Sequence, residues 1–304
     1  MQDPRGLFST RLDTDEARPE RPVLIEALDG LVDAGNGRRI ARDHLLAALD
    51  TTLIVSFDVD QLLDYRSHRP EMTYATDHWS DYSQPQIAIH LAHDLNGTPF
   101  LLLFGPEPDV QWERFIAAVR LLIADFDVRL VVGLSAIPMA VPHTRPGSVI
   151  AHGTPPTLIA AYRKWLPTVQ VPASVGNLLE YRLGQTEVPA CGFAVPVPYY
   201  LANVDYPGAA RSLLDAAAGI GDLVLPTEAL DRAADVVRDD IGRQIAGNDE
   251  ARELVQRLEQ QYDNLEGQRG SGLLADGATL PSADELAAEF ERYLSNPPGD
   301  DTSN

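Results

Sequence analysis

Short apolar runs alternate along this chain with stretches of helical spacing. Val23-Leu-Ile-Glu-Ala-Leu28, Thr52-Leu-Ile-Val-Ser-Phe57, Gln86-Ile-Ala-Ile-His-Leu91, Phe100-Leu-Leu-Leu-Phe104, Arg129-Leu-Val-Val-Gly-Leu134 and the run Ala190–Val197 are short and rich in branched residues, as strands covered on both faces are. Between them, Arg38–Leu49 places Ile40, Leu45, Leu46 and Leu49 at helical spacing. Asp109 predicts the cap of a helix reaching about Ala124, with Trp112, Phe115, Ile116, Val119 and Leu122 on one face. Ser174 predicts the cap of another, running through Val175, Leu178, Leu179 and Arg182. Doubly covered strands separated by helices predict an α/β protein, a three-layer α/β/α sandwich. Asn96-Gly97 joins two adjacent runs with hairpin chemistry, so the sheet is expected to be mixed.

The pattern changes after Pro226. Residues 227–246 and 250–266 read as two helices joined by Gly247-Asn248-Asp249, a C-terminal helical hairpin. Leu230, Ala234, Val237, Ile241 and Ile245 line one stripe, and Leu254, Leu258, Tyr262 and Leu265 line the other. Two such stripes serve either to cover part of the core or as an arm that packs on a neighbouring subunit. The candidate arm residues are Leu230, Val237, Ile241, Leu254, Leu258 and Tyr262. The expected organisation is a flexible leader over 1–21, a core domain over 22–225, the hairpin over 226–266, a linker and C-terminal helix over 267–295, and a disordered tail over 296–304. Ser282-Ala-Asp-Glu285 supplies the capping box of that last helix.

Charge narrows the partners. With 24 basic and 45 acidic residues the net charge of the 304-residue chain is -21, which disfavours nucleic-acid backbones. From Pro226 onward there are 7 basic and 18 acidic residues, so the last quarter carries just over half of that charge. The single cysteine, Cys191, sits in an apolar run and reads as a small buried residue; one cysteine permits no disulfide within the chain, and the expected location is a reducing cytoplasm. Residues 1–22 show no signal-peptide pattern, and the most apolar region, Phe115–Pro142, is broken by Arg120, Asp125, Asp127 and Arg129, so no membrane partner is expected.

Candidate chemistry begins at the loop after the second strand. Arg66, His68 and Arg69 fall within four residues on an acidic background, beyond a strand end, where open α/β sheets gather ligands. Arginine offers a fork for carboxylate or phosphate, and histidine titrates near neutrality. The bland alternative is an internal salt-bridge network to Asp58, Asp60, Asp77 or Asp81, and a third reading is a surface that faces a partner. His143, Arg145 and His152 follow another strand end; converging with His68, they would suit an anion or a general base. His90 and His93 on a strand point to opposite faces, so no metal site is expected. Asp33-Ala-Gly35-Asn-Gly37-Arg-Arg39 is only a weak anion cradle, lacking a P-loop lysine and a dinucleotide spacing. No Gly-x-Ser-x-Gly elbow is present.

Four linked segments carry a resemblance. The order of Ala27-Leu-Asp-Gly-Leu-Val-Asp-Ala-Gly35, Asp64-Tyr-Arg-Ser-His-Arg-Pro70, Phe104-Gly-Pro-Glu-Pro-Asp109 with Trp112-Glu113, and Gly133-Leu-Ser-Ala-Ile-Pro138 followed by His143-Thr-Arg-Pro146 resembles the proteasome assembly chaperone 2 family, in its actinobacterial branch with a C-terminal helical extension. The resemblance implies a phosphorylase/hydrolase-like sheet and self-association as a homo-oligomer such as a trimer. It further implies a non-catalytic role in assembling the proteasome or another complex, with proteasome subunits as partners. It implies no cofactor, metal or catalytic residue. Family members that dock on proteasome α-rings commonly end in a hydrophobic residue, a tyrosine and one more; this sequence ends Thr302-Ser303-Asn304, so that docking device is not expected. The alternative from fold analogy is an enzyme acting on a small anionic substrate through the Arg66/His68/Arg69 loop.

Overall fold

The computed structural model describes residues 2–11, 19–162 and 168–270, with side chains to residue 264. Two compact units divide at residues 259 and 260, and the sheet, its helical layers and both sites below lie in the first. Among the described residues ten strands form: β1 (Phe8–Thr10), β2 (Val23–Leu28), β3 (Thr51–Phe57), β4 (Met72–Ala75), β5 (His78–Tyr82), β6 (Ala88–His93), β7 (Pro99–Gly105), β8 (Leu130–Met139), β9 (Ile150–Thr154) and β10 (Ala190–Pro198). The helices are α1 (Gly37–Ala48), α2 (Trp112–Asp125), α3 (Val175–Leu183), α4 (Pro207–Gly221), α5 (Glu228–Ala246) and α6 (Asp249–Gly270).

Eight strands make one mixed sheet in the order β1-β3-β6-β7-β2-β8-β10-β9. Its centre, β7-β2-β8-β10, is parallel, and both flanks are antiparallel. The alternation along β2 explains the layers. Val23, Ile25 and Ala27 join the core under α1, α4 and α5, while Leu24 and Leu28 join the core under α2 and α3. Position 26 belongs to the second face. A glutamate therefore stands where the pattern asks for an apolar side chain.

The mixed three-layer α/β/α architecture is the one expected. Several details differ. The expected leader is partly built in: Leu7 is buried and Phe8–Thr10 pair with β3. Residues 12–18 of it lie outside the described residues. The helix expected from Asp109 begins at Trp112, after Gln111 in a left-handed conformation (φ 60°). Asp109 is occupied elsewhere, accepting from the Asp64 N–H at 2.7 Å. His152 lies on edge strand β9 and not in a loop. Helix α6 continues through Gly267 to Gly270, where a linker was expected, while residues 271–304, with the capping box and the tail, lie outside the described residues.

Of the two readings of the hairpin, the packing of α5 accords with the one that covers the core. Leu230 and Ile241 are buried, and Val237 packs against the same core as α4. The stripe of α5 is thus spent on its own sheet layer. On α6, Leu258 is buried and Leu254 partly so. Tyr262 falls in the second unit, half-buried and with a partner of its own.

Candidate functional site

The nominated residues take separate partners, except that His143 and Arg145 both lie near Glu259. Arg66 is exposed and its Nε reaches only the neighbouring Asp64, at 3.4 Å. His68 Nδ1 lies 3.1 Å from Asp109 Oδ2, and Arg69 is exposed with no partner among the described residues. None of the three pairs with Asp58, Asp60, Asp77 or Asp81, so the expected salt-bridge network is not formed. His143 shares a 2.8 Å hydrogen bond with Tyr200 Oη, and its half-burial pushes its pKa below the ordinary histidine value against the pull of Glu259. Arg145 Nη1 meets Glu259 Oε1 at 3.3 Å. Of the six candidate ligand residues named above, His152 lines the cavity described next, together with Arg38 from the Asp33–Arg39 loop. The enzymatic alternative placed His68 in one concavity with His143, Arg145 or His152; in the structure His68 pairs with Asp109, His143 with Tyr200, Arg145 with Glu259 and His152 with Glu180.

What the sheet does assemble is a row. Glu26 pairs with Gly133, Gly133 with Gly192, and Gly192 with His152, across four adjacent strands on the α3 side. The two glycines leave a trough between the flanking side chains. A Cβ on Gly192 would approach His152 Cε1 to 2.3 Å. A Cβ on Gly176 of α3, above the other end, would stand 2.6 Å from Glu26 Oε2. The result is a cavity of about 350 Å³, walled by Leu28, Val131 and Leu179 and opening past exposed Leu31, Val32 and Val171. Ligand sites of open α/β sheets favour this end of the parallel strands.

Its electrostatics are unusual for a core. Burial pushes the Glu26 carboxyl up to about 7; Arg38 and the Leu28 N–H pull it down, while Glu107 and Glu180 push it further up. Burial also opposes a charged His152, but the hydrogen bond and charge of Glu180 outweigh it and raise that pKa. Burial, aided by Glu180, drives the Cys191 thiol up to about 12, so the thiol stays protonated and unreactive. His152 hydrogen-bonds Glu180 and, among the described residues, no hydroxyl or thiol. The cavity thus has binding groups without an activated nucleophile.

The Asp33–Arg39 loop is closed as an anion cradle. The N–H groups of Arg38 and Arg39 both donate to the Asp33 carboxylate, at 2.8 and 2.9 Å. Among the described residues no group of three His, Cys, Asp or Glu side chains clusters for a metal.

A second feature was missed in the sequence. β4 and β5 form a separate two-stranded hairpin. A register shift after Thr73 pairs Met72 with Tyr82 and Tyr74 with Trp79, which brings all four onto one face. They are 52%, 51%, 60% and 63% exposed.

A family model matches residues 27–245, most of the chain. The chain belongs to the PAC2 family. The matched span of this PAC2 chain holds the aromatic hairpin, Arg38, Glu107, His152 and Glu180, with Glu26 directly before it. Among solved structures, the Mycobacterium tuberculosis protein Rv2714, of unknown function, is 45% identical over 86% of this chain and 92% of its own, with a TM-score of 0.80. A Corynebacterium glutamicum protein of unknown function is 35% identical over 84% and 97%, also at 0.80. The M. tuberculosis proteasome-assembly chaperone homologue Rv2125 is 25% identical over 77% and 99%, at 0.71. No curated protein matches the chain. No helix among the described residues is long and apolar enough to cross a membrane.

Two signals for the missed features stood in the sequence. A lone glutamate inside Val23–Leu28 breaks a run buried on both faces. The alternation of Met72-Thr-Tyr-Ala75 before a turn is strand patterning.

Proposed function

We propose that this PAC2-family protein is a non-catalytic, self-associating assembly factor, with the apolar face of the β4–β5 hairpin meeting a second copy of the chain. The carrying observation is that face: four large side chains on one side of a hairpin outside the main sheet. A lone two-stranded hairpin is marginal in water, so a covering surface would stabilise it. Charge supports a second copy as the occupant. Exposed Arg66 and Arg69 directly precede the hairpin, on a chain whose net charge is -21, so the basic loop of one copy suits the acidic surface of another. Family membership, and the similarity to a proteasome-assembly chaperone homologue, support proteasome assembly as the process assisted.

Light scattering tests the first part. The wild type is expected to be oligomeric at roughly tens of micromolar, and Tyr74→Ala with Trp79→Ala to give monomer with little change in melting temperature. A monomeric wild type, or an oligomer indifferent to both changes, defeats it. Affinity purification from a proteasome-bearing host tests the second part: α-type subunits or their precursors should co-purify, and their absence removes the proteasome from the reading.

A further inference from the structure

The cavity contains a cation without a counter-ion. Arg38 is 7% exposed, its Nε is buried with no hydrogen-bond partner, and its Nη2 reaches only Val32 O, at 3.4 Å. A buried guanidinium left this way is costly, so such groups are normally paired. The nearby acids other than Glu26 each engage another group. Asp29 pairs with Arg42 at 2.7 Å, Asp33 with two backbone N–H groups, Glu107 with the Val175 N–H at 2.6 Å, and Glu180 with His152. Glu26 engages through Oε1 alone, accepting from the Leu28 N–H at 2.8 Å, and its Oε2 lies under Gly176. Arg38 and Glu26 line the same cavity without forming an ion pair.

We propose that the cavity binds a small apolar zwitterion, an amino acid or short peptide whose carboxylate is held by Arg38 and whose ammonium faces Glu26. The site is independent of the assembly reading above. Arginine's fork matches a carboxylate in two-point geometry. The ammonium meets Glu26 Oε2, in surroundings where Asp29, Glu107 and Glu180 add negative potential. That same potential opposes phosphate and other multiply charged anions. At the N-terminus of α3, Glu107 and Ser174 already take the Val175 and Asn177 N–H groups. Leu28, Val131 and the Leu31/Val171 rim supply an apolar wall for a side chain. The cavity volume of about 350 Å³ suits a ligand of that size.

The test uses the full chain at pH 8, with thermal shift and calorimetry. The probes are L-leucine, L-methionine, L-phenylalanine and L-leucyl-L-leucine. The controls are 4-methylpentanoate, which lacks the amine, 3-methylbutylamine, which lacks the carboxylate, and inorganic phosphate. At least one zwitterion is expected to raise the melting temperature at about 10 mM, with each control at least about tenfold weaker. Binding of the amino acids or of the dipeptide separates a free amino acid from a peptide terminus. Arg38→Met should weaken binding at least about tenfold, and Glu26→Gln should narrow the preference for zwitterion over acid. The proposal is overturned by no zwitterion binding, by phosphate or either single-charge control binding as well, or by Arg38→Met leaving affinity unchanged. The control panel on the wild type decides the matter even if a variant misfolds.

Discussion

The N-terminal segment and the cavity each bury an arginine to 7% exposure and treat it in opposite ways. Arg114 on α2 is saturated: Nε and Nη2 donate to Asp3 O, and Nη1 to side-chain oxygens of Gln2, Gln61 and Gln111. Arg38 on α1 keeps an idle Nε and faces a cavity. Residue type and burial are equal, so only the supply of acceptors separates them. A saturated cation locks chain segments together, here the first ten residues onto α2. An unsaturated cation beside open space is prepared for something that arrives.

The largest expected effect lies on the saturated side. Arg114→Met orphans five acceptor contacts and releases the segment carrying buried Leu7, so it should cost about 3–5 kcal/mol in urea unfolding. A loss below about 1 kcal/mol would erase the contrast between the two arginines.

The next effect tests the cavity through pH. The folded state holds the Glu26 proton up to about 7, against an ordinary value of 4.5. Between those pH values the native protein binds more protons than the unfolded chain, so this group's contribution to stability falls as pH rises. Full ionisation of the group then costs about 3 kcal/mol. Glu26→Gln should match the wild type below pH 4.5 and exceed its stability by up to that amount above 7. Denaturation of both proteins at pH 4.5 and pH 8 checks this, and parallel curves would refute a buried, proton-holding carboxyl.

The smallest effect is the most telling. Arg38→Met removes an under-satisfied buried charge and should shift stability by no more than about 1 kcal/mol in either direction, while abolishing zwitterion binding. A loss as large as that of Arg114→Met would make Arg38 a structural lock as well. Equal melting temperatures of the wild type and the Tyr74→Ala, Trp79→Ala variant, with different masses in solution, would set the hairpin apart from both arginines as a surface with no internal duty.

Much of the fold was legible because burial on both faces imposes unbroken apolar runs. β2 appeared with its observed ends, and β3, β7 and β10 appeared within a residue. β1 and β9 were not legible: each is a short edge element, and in Ile150-Ala-His-Gly-Thr154 the branched residues are parted by Ala-His-Gly. Helix α4 hid in an alanine- and glycine-rich segment, although Pro207 at its first turn was a start signal. The histidines and arginines chosen as candidate ligands stood out by local density. Most of them met a partner on another element: Asp109 for His68, Tyr200 for His143 and Glu259 for Arg145.

Sequence alone determined the layered α/β/α class, the family and the helix pair α5 and α6, because periodicity and turn chemistry are local and act residue by residue. Tertiary structure alone decided which charges were satisfied. The row from Glu26 to His152 spans four strands drawn from distant parts of the chain, and the register of those strands placed two glycines between them. Whether a buried arginine is a lock or a receptor depends on the acceptors that folding brings within reach, and no local pattern records that.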